Sequence, residues 1–350
     1  MTVLVPRKII LKRIAHTYYN YTNLEKAVQF LKDFGFTEEK RVGDDKVYLR
    51  GYGTEPWVIC AVRANKDEFG GVGYVVESEE DLQHAAETLP KASKIYELAD
   101  APGKGRCVTF LDPVDESPFH LVYGQETVEM LDIPLPHEAV NYPTEKNRAV
   151  NKTQRFRRRP APVHKLGHWG HCTTDFAKSF EFYTTRFNFR PSDASISLHT
   201  ILPVSLSFKL AHCLHGIQIV HDEDGADVTS FFRLDRGKEQ VDHHCFFFYQ
   251  GPKFKVHHTS YETHDFNTQV LGHDWLREKG YRNCWGVGRH VLGSQIFDYW
   301  FDTAGFIMEH YVDGDLMDDT EPTKRSKASP DGLHVWGPDV PSHFLAGGTE

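Results

Sequence analysis

The chain has 350 residues, room for two or three domains. Its 40% hydrophobic, 13% aromatic and 25% charged composition excludes a disordered chain, and a net charge of −9 argues against a general nucleic-acid binder. No apolar run approaches the ~20 residues of a membrane helix and the N-terminal residues lack a signal-peptide layout, so a cytoplasmic protein is expected.

Residues 9–36 read as a short β-rich segment followed by a helix cap at Thr22-Asn23. Leu24, Ala27, Val28 and Leu31 then recur at helical spacing, and Gly35 ends the helix. Strand-like pieces follow at 46–49 and 57–63, which completes a βαβββ outline. A second unit has a strand at 71–77 and an acidic helix start at Ser78-Glu79-Glu80-Asp81, suited to the helix dipole. Its helix runs through 82–89, with strands near 107–111 and 120–123.

Residues 135–162 are Pro-rich, then polar, then basic. Arg155–Arg159 carries a run that we read as a solvated linker or oligomer contact. Beyond it the pattern restarts. With an offset of 152, His168 falls on His16, Thr174 on Thr22, Phe176 on Leu24 and Phe182 on Phe30. The second and fourth quarters match loosely, with Gly73 set against His258 and Val122 against Glu309. The expected fold is α+β: four βαβββ modules paired into two domains, each a curved mixed sheet forming an open barrel. The domains are 1–134 and 163–317, joined by the linker 135–162. The segment 318–350 is an extended tail packed through Trp336 and Phe344.

The six Cys are scattered without CxxC spacing, so reduced, buried thiols are expected. Of the 21 His, 17 follow residue 160, which places any imidazole chemistry in the second half.

Three positions stand out there. His168 and His258 are expected to close the first strands of the third and fourth modules, and Glu309 falls in an apolar strand where an unpaired carboxylate is expensive. Two imidazoles and a carboxylate form the facial triad of non-haem Fe(II) sites with open coordination positions. The first domain would lack the site, since the alignment offers His16, Gly73 and Val122.

The closing stretch has Arg289-His290 after a Gly, Tyr299 nine residues beyond that His and Glu309 nineteen beyond it. Leu166-Gly167-His168 and the His257-His258 doublet precede it, with His244 fourteen residues before His258. With these spacings the second half resembles the type I extradiol ring-cleaving dioxygenases of the vicinal oxygen chelate superfamily, trihydroxytoluene oxygenases most of all. The resemblance implies Fe(II), with Mn(II) as an alternative, held by His168, His258 and Glu309. It implies catalytic roles for His244 as the active-site base and for His290 and Tyr299 on the substrate oxygens. The substrates would be a catechol and O2, the product a muconic semialdehyde-type compound, the setting aromatic hydrocarbon catabolism and the assembly a homo-oligomer. Relatives that bind acids carry an Arg where this chain has Trp285. Trp285 is therefore expected at the substrate, which would be an uncharged, methylated or trihydroxylated catechol.

His243 and His257 are expected on the opposite faces of their strands from His244 and His258. His171, His199, His212, His215, His221, His264, His273 and His310 are read as non-ligands. Two rival readings remain. One is a metal-dependent isomerase or lyase of glyoxalase type, which would have no use for His244, His290 and Tyr299. The other is a non-catalytic small-molecule binding protein, which would have lost the ligands from both domains.

Overall fold

The computed structural model describes residues 7–135, 138–192, 219–221, 227–323, 325–327 and 333–347. His199, His212 and His215, and the side chain of His221, lie outside this description.

The first half runs β1 (Leu11–Tyr21), α1 (Leu24–Phe34), β2 (Thr37–Val42), β3 (Lys46–Arg50), β4 (Ile59–Arg63), β5 (Glu68–Val76), α2 (Glu79–Thr88), β6 (Tyr96–Glu97), β7 (Arg106–Leu111) and β8 (Pro118–Tyr123). The second half runs β9 (Leu166–Thr173), α3 (Phe176–Arg186), β10 (Phe189–Pro191), β11 (Ile219–His221), β12 (Asp227–Leu234), β13 (Val241–Asp242), β14 (Phe246–Gln250), β15 (Lys255–Glu262), α4 (Phe266–Glu278), β16 (Asn283–Arg289), β17 (Ile296–Phe301) and β18 (Ile307–Val312). Short strands β19 (Leu316–Met317) and β20 (Arg325–Lys327) and a one-turn helix α5 (Ser342–Leu345) complete it. No helix among the described residues is long and apolar enough to cross a membrane.

The modules are legible in the strand pairing. β1 lies parallel to β4, β5 to β8, β9 to β14 and β15 to β18, so the first and last strands of each module are neighbours. Modules then join through antiparallel pairs, β1 with β5 and β9 with β15. The results are an eight-stranded sheet and a ten-stranded sheet.

Local chemistry fixes the helix ends. Asn23 accepts from the Lys26 N–H at 3.1 Å, and Asp175 and Asp265 cap α3 and α4 in the same way. Gly35 ends α1 with φ +128°, and a Cβ there would lie 1.8 Å from the Ala161 carbonyl oxygen. Only glycine allows that approach of the linker. Strand β2 went unread because TEEKRV is largely exposed at a sheet edge and has no apolar alternation.

One hydrophobic core runs through both halves. Polar groups of the two halves pair across it: Tyr19 with Thr259, Tyr21 with Asp302 and Trp169 with Tyr74, at 2.8–2.9 Å. His310 donates to the Phe34 carbonyl at 2.7 Å and stacks on the Phe34 ring, pointing away from its neighbour Glu309 as a non-ligand. The five cysteines among the described residues are buried free thiols.

Two sequence expectations are corrected. His168 and His258 do not close their strands; both sit mid-strand, because β9 continues to Thr173 against β14 and β15 continues to Glu262 against β18. The counterparts in the first domain also differ. Tyr18 pairs with Gly71 as Gly170 pairs with His258, and Gly73 pairs with His120 as Ser260 pairs with Glu309. The equivalent trio is therefore His16, Gly71 and His120, not His16, Gly73 and Val122. Register irregularities in both antiparallel joins defeat a residue-by-residue alignment.

Candidate metal centre and cavity

Glu309 comes from β18, His258 from β15 and His168 from β9, three adjacent strands of the second sheet. The His168 and His258 Nε2 atoms lie 3.1 Å apart. Glu309 Oε2 lies 3.1 Å from the former and 3.4 Å from the latter. All three side chains are buried, and Glu309 has no exposed surface. Neither carboxylate oxygen has a well-directed hydrogen-bond donor among the described residues. Three groups able to donate an electron pair thus converge in a buried place, a costly arrangement without a cation.

These separations suit a divalent ion with bonds of about 2.0–2.2 Å. The donor set, two nitrogens and one carboxylate, suits iron or manganese. The residues present therefore fit the metal that the spacing implies. Burial alone would push the Glu309 carboxyl up, but His168 and His290 outweigh it and hold it below its ordinary value. The His258 imidazole is held well below its ordinary range, first by burial and then by His257 and His168, which keeps it in the neutral form a ligand needs.

A cavity of about 150 Å³ opens beside this trio. His168, His258, His244, His290 and Tyr299 line it together with Thr229, Phe231, Phe247, Tyr249, Leu292 and Gln295. No Lys or Arg is among the described lining residues. His290 and Tyr299 are tied together, with Nε2 2.8 Å from the hydroxyl oxygen, while His290 Nδ1 meets the Leu333 carbonyl at 2.6 Å. Burial, reinforced by Glu309, pushes the Tyr299 phenol well up, so it stays protonated. His244 is held neutral by burial first and by His168 next, and its ring centroid lies 4.1 Å from that of His168.

Several expectations change here. Trp285 does not line the cavity. It lies behind the wall, stacked on Tyr299 and packed on Phe297 and Phe344, with its N–H donated to the Pro338 carbonyl. The tail packs through Phe344, but Trp336 stays 41% exposed. Phe344, Leu345 and Leu333 of that tail close one side of the cavity, a role the sequence reading missed.

His243 and His257 do not point away. His243 Nδ1 lies 2.9 Å from His244 Nδ1, and His257 Nδ1 lies 2.7 Å from His258 Nδ1. Alternation fails because a register irregularity falls between Val256 and His258, and because His243 lies outside any strand. The doublets themselves were the signal.

The first domain shows what the fold does without a ligand set. His120 is engaged by the Thr109 hydroxyl at 2.8 Å and the Gly70 carbonyl at 2.9 Å. His16 stacks on Trp57 at 3.7 Å between centroids, and Gly71 offers no side chain. Among the described residues, His168, His258 and Glu309 are the one group of three that could hold a metal.

No protein-family model matches the chain. Metapyrocatechase 2 of Cupriavidus necator is 33% identical over 120 residues, 34% of this chain, and the match spans little more than a third of that relative's length, 37%. Homoprotocatechuate 2,3-dioxygenase from Brevibacterium fuscum superposes with a TM-score of 0.75 at 15% identity, covering 100% of this chain and 96% of that one. The Mn(II)-bound glyoxalase from Novosphingobium aromaticivorans gives a TM-score of 0.71 at 18% identity, covering 95% and 93%. Together with the paired modules, these likenesses give the chain the two-domain vicinal-oxygen-chelate fold.

Proposed function

We propose that the protein is an Fe(II)-dependent extradiol dioxygenase acting on an uncharged catechol. The observation that carries this reading is a buried His168–His258–Glu309 trio at a cavity that also presents His244, His290 and Tyr299. A glyoxalase-type isomerase would share the fold but has no use for the other three. The metapyrocatechase likeness supports the same direction.

His168, His258 and Glu309 would hold the ion. When bound, it supplies Lewis acidity towards phenolic oxygens and open positions for O2. The remaining work falls to the chain. His290 Nδ1 faces a carbonyl and so carries its proton there, leaving Nε2 as an acceptor. Tyr299 donates its hydroxyl proton to that nitrogen, and its oxygen can accept from a substrate hydroxyl. A phenolic proton can thus pass from substrate to Tyr299 while the tyrosine proton passes to His290. His244, neutral and buried in the cavity wall, is placed to accept a second proton and return it later. The aromatic and aliphatic side chains of the lining disfavour water, and the absence of a cation among the described lining residues disfavours a substrate carboxylate.

The test is to load the protein anaerobically with Fe(II), add 3-methylcatechol, 1,2,4-trihydroxybenzene or 3,4-dihydroxyphenylacetate, admit air and follow O2 uptake and yellow product. Uptake with the neutral diols supports the reading. No uptake with any diol, from protein shown to hold iron, sinks it.

A further inference from the structure

His257 stands next to a proposed ligand, lines the cavity and has no assigned role. Its Nδ1 lies 2.7 Å from His258 Nδ1. Hydrogen-bond chemistry dictates the rest. For His258 Nε2 to offer a lone pair towards His168 and Glu309, the His258 proton must sit on Nδ1. Nδ1–H then donates to His257, so His257 Nδ1 must be bare and its own proton must sit on Nε2. The backbone carbonyl of Phe344, in α5, acts as acceptor for the His257 ring. The opposite arrangement would place the His258 proton on Nε2, between the three donors, and leave the Phe344 carbonyl without its donor.

Packing ties the same pieces together. The Phe344 ring meets His257 edge-on at 4.8 Å between centroids and lies over His258 at 6.3 Å. Gly347, with φ +67°, passes so close that a Cβ would sit 3.2 Å from His257 Cδ2. The tail therefore contacts His257 through a backbone acceptor, an aromatic ring and a glycine.

We propose that His257 is a positioning residue that fixes the ligand-competent tautomer of His258 and couples metal affinity to docking of the C-terminal helix α5. The inference rests on the reading of His258 as a metal ligand. The tail would then do more than close the cavity, since undocking it removes the carbonyl that selects the tautomer and the ion is held less tightly.

The experiment measures Mn(II) binding to the full chain by the electron paramagnetic resonance signal of the free ion, which needs no turnover. His257→Phe keeps the ring and removes both hydrogen bonds; it should weaken Mn(II) binding by about 10–100-fold, the usual effect of losing such a partner. His257→Gln, which can both accept and donate, should stay within about 3-fold of wild type. Removing residues 341–350 should weaken binding in the wild type but add little in His257→Phe, since both changes break one chain of contacts. Wild-type affinity in a folded His257→Phe protein overturns the proposal, and so do losses that simply add. If His257→Phe does not fold, the Gln variant and the truncation decide: loss of affinity in Gln, or none on truncation, overturns it. Wild-type protein that binds Mn(II) but consumes no O2 with any diol when iron-loaded sinks only the dioxygenase reading.

Discussion

The Tyr299 hydroxyl oxygen lies 2.8 Å from His290 Nε2, and the other nitrogen of that ring is held by the Leu333 carbonyl at 2.6 Å. A carbonyl can only accept, so the direction of both bonds is determined: Tyr299 donates to His290, and His290 donates to the tail. Tyr299→Phe removes the group that would meet a substrate oxygen while leaving the three proposed metal donors in place. The expected outcome is kcat lower by about 100-fold, with KM for 3-methylcatechol changed little and metal content unchanged. Oxygen-electrode kinetics on iron-loaded protein, with metal analysis alongside, checks it. A variant as fast as wild type would remove Tyr299 from the chemistry.

Glu309 sets a conflict between function and stability. Its carboxylate has no exposed surface, and in metal-free protein only neighbours such as the His168 and His290 imidazoles offset its burial, where apolar packing would serve the fold better. Glu309→Leu should abolish iron binding and make the metal-free protein more stable by about 1–3 kcal/mol. Urea denaturation with a chelator present measures the second effect, and metal analysis the first. A less stable metal-free variant would mean that the carboxylate holds the site together by itself.

What could be read from the sequence follows from which signals are local. Helix starts such as Asn23 and Ser78 and the apolar face of α1 are written in neighbouring residues, and the recurrence of that pattern at an offset of 152 let the modules be counted. His168, His258 and Glu309 stood out through short motifs, Leu166-Gly167-His168, the His257-His258 doublet and the nineteen-residue offset from His290 to Glu309. The register between strands did not: irregularities at the β1–β5 and β9–β15 joins moved the counterpart of Glu309 from Val122 to His120. The same irregularity turned His257 towards His258, where strict alternation sends it away. The cavity wall built by Leu333, Phe344 and Leu345 depends on where a tail without periodicity comes to rest, which no local pattern records.

Trp285 tests the difference between position in a motif and position in space. Acid-binding relatives carry an Arg at this place in the pattern, yet here the indole is buried behind Tyr299 and Phe344 and holds the Pro338 carbonyl. Trp285→Arg should not create a carboxylate site. It should remove the stacked indole, loosen the tail and lower stability by about 3–5 kcal/mol, the range for losing a large buried aromatic. Thermal unfolding checks the loss, and O2 uptake with 3,4-dihydroxyphenylacetate checks the specificity. Faster turnover of that acid by the variant would show that the side chain at 285 reaches the substrate after all.

His171 makes the pH dependence of the fold testable away from the ligands' own titration. Its ring is fully buried among Trp169, Phe246, Phe248 and Phe254, and neither nitrogen has a hydrogen-bond partner among the described residues. Burial pushes its pKa down to about 3. An unfolded His titrates near 6.5, so above that pH both states are neutral and the ring has no effect on the pH profile. As the pH falls below about 6.5, the unfolded chain gains a proton that the folded chain refuses, and stability is lost until the folded value is reached. At pH 5 this amounts to about 2 kcal/mol for His171. His120, pushed down to about 4 mainly by burial, acts in the same direction. His171→Phe removes two unsatisfied polar atoms from an aromatic cluster. The variant should be more stable than wild type at pH 7.5 by about 1–2 kcal/mol. Its loss of stability between pH 7.5 and 5 should be smaller by about 2 kcal/mol. Urea unfolding of metal-free protein at the two pH values measures both quantities. An unchanged pH dependence in the variant would mean that His171 is hydrated or protonated in the folded state, and the burial argument would fail.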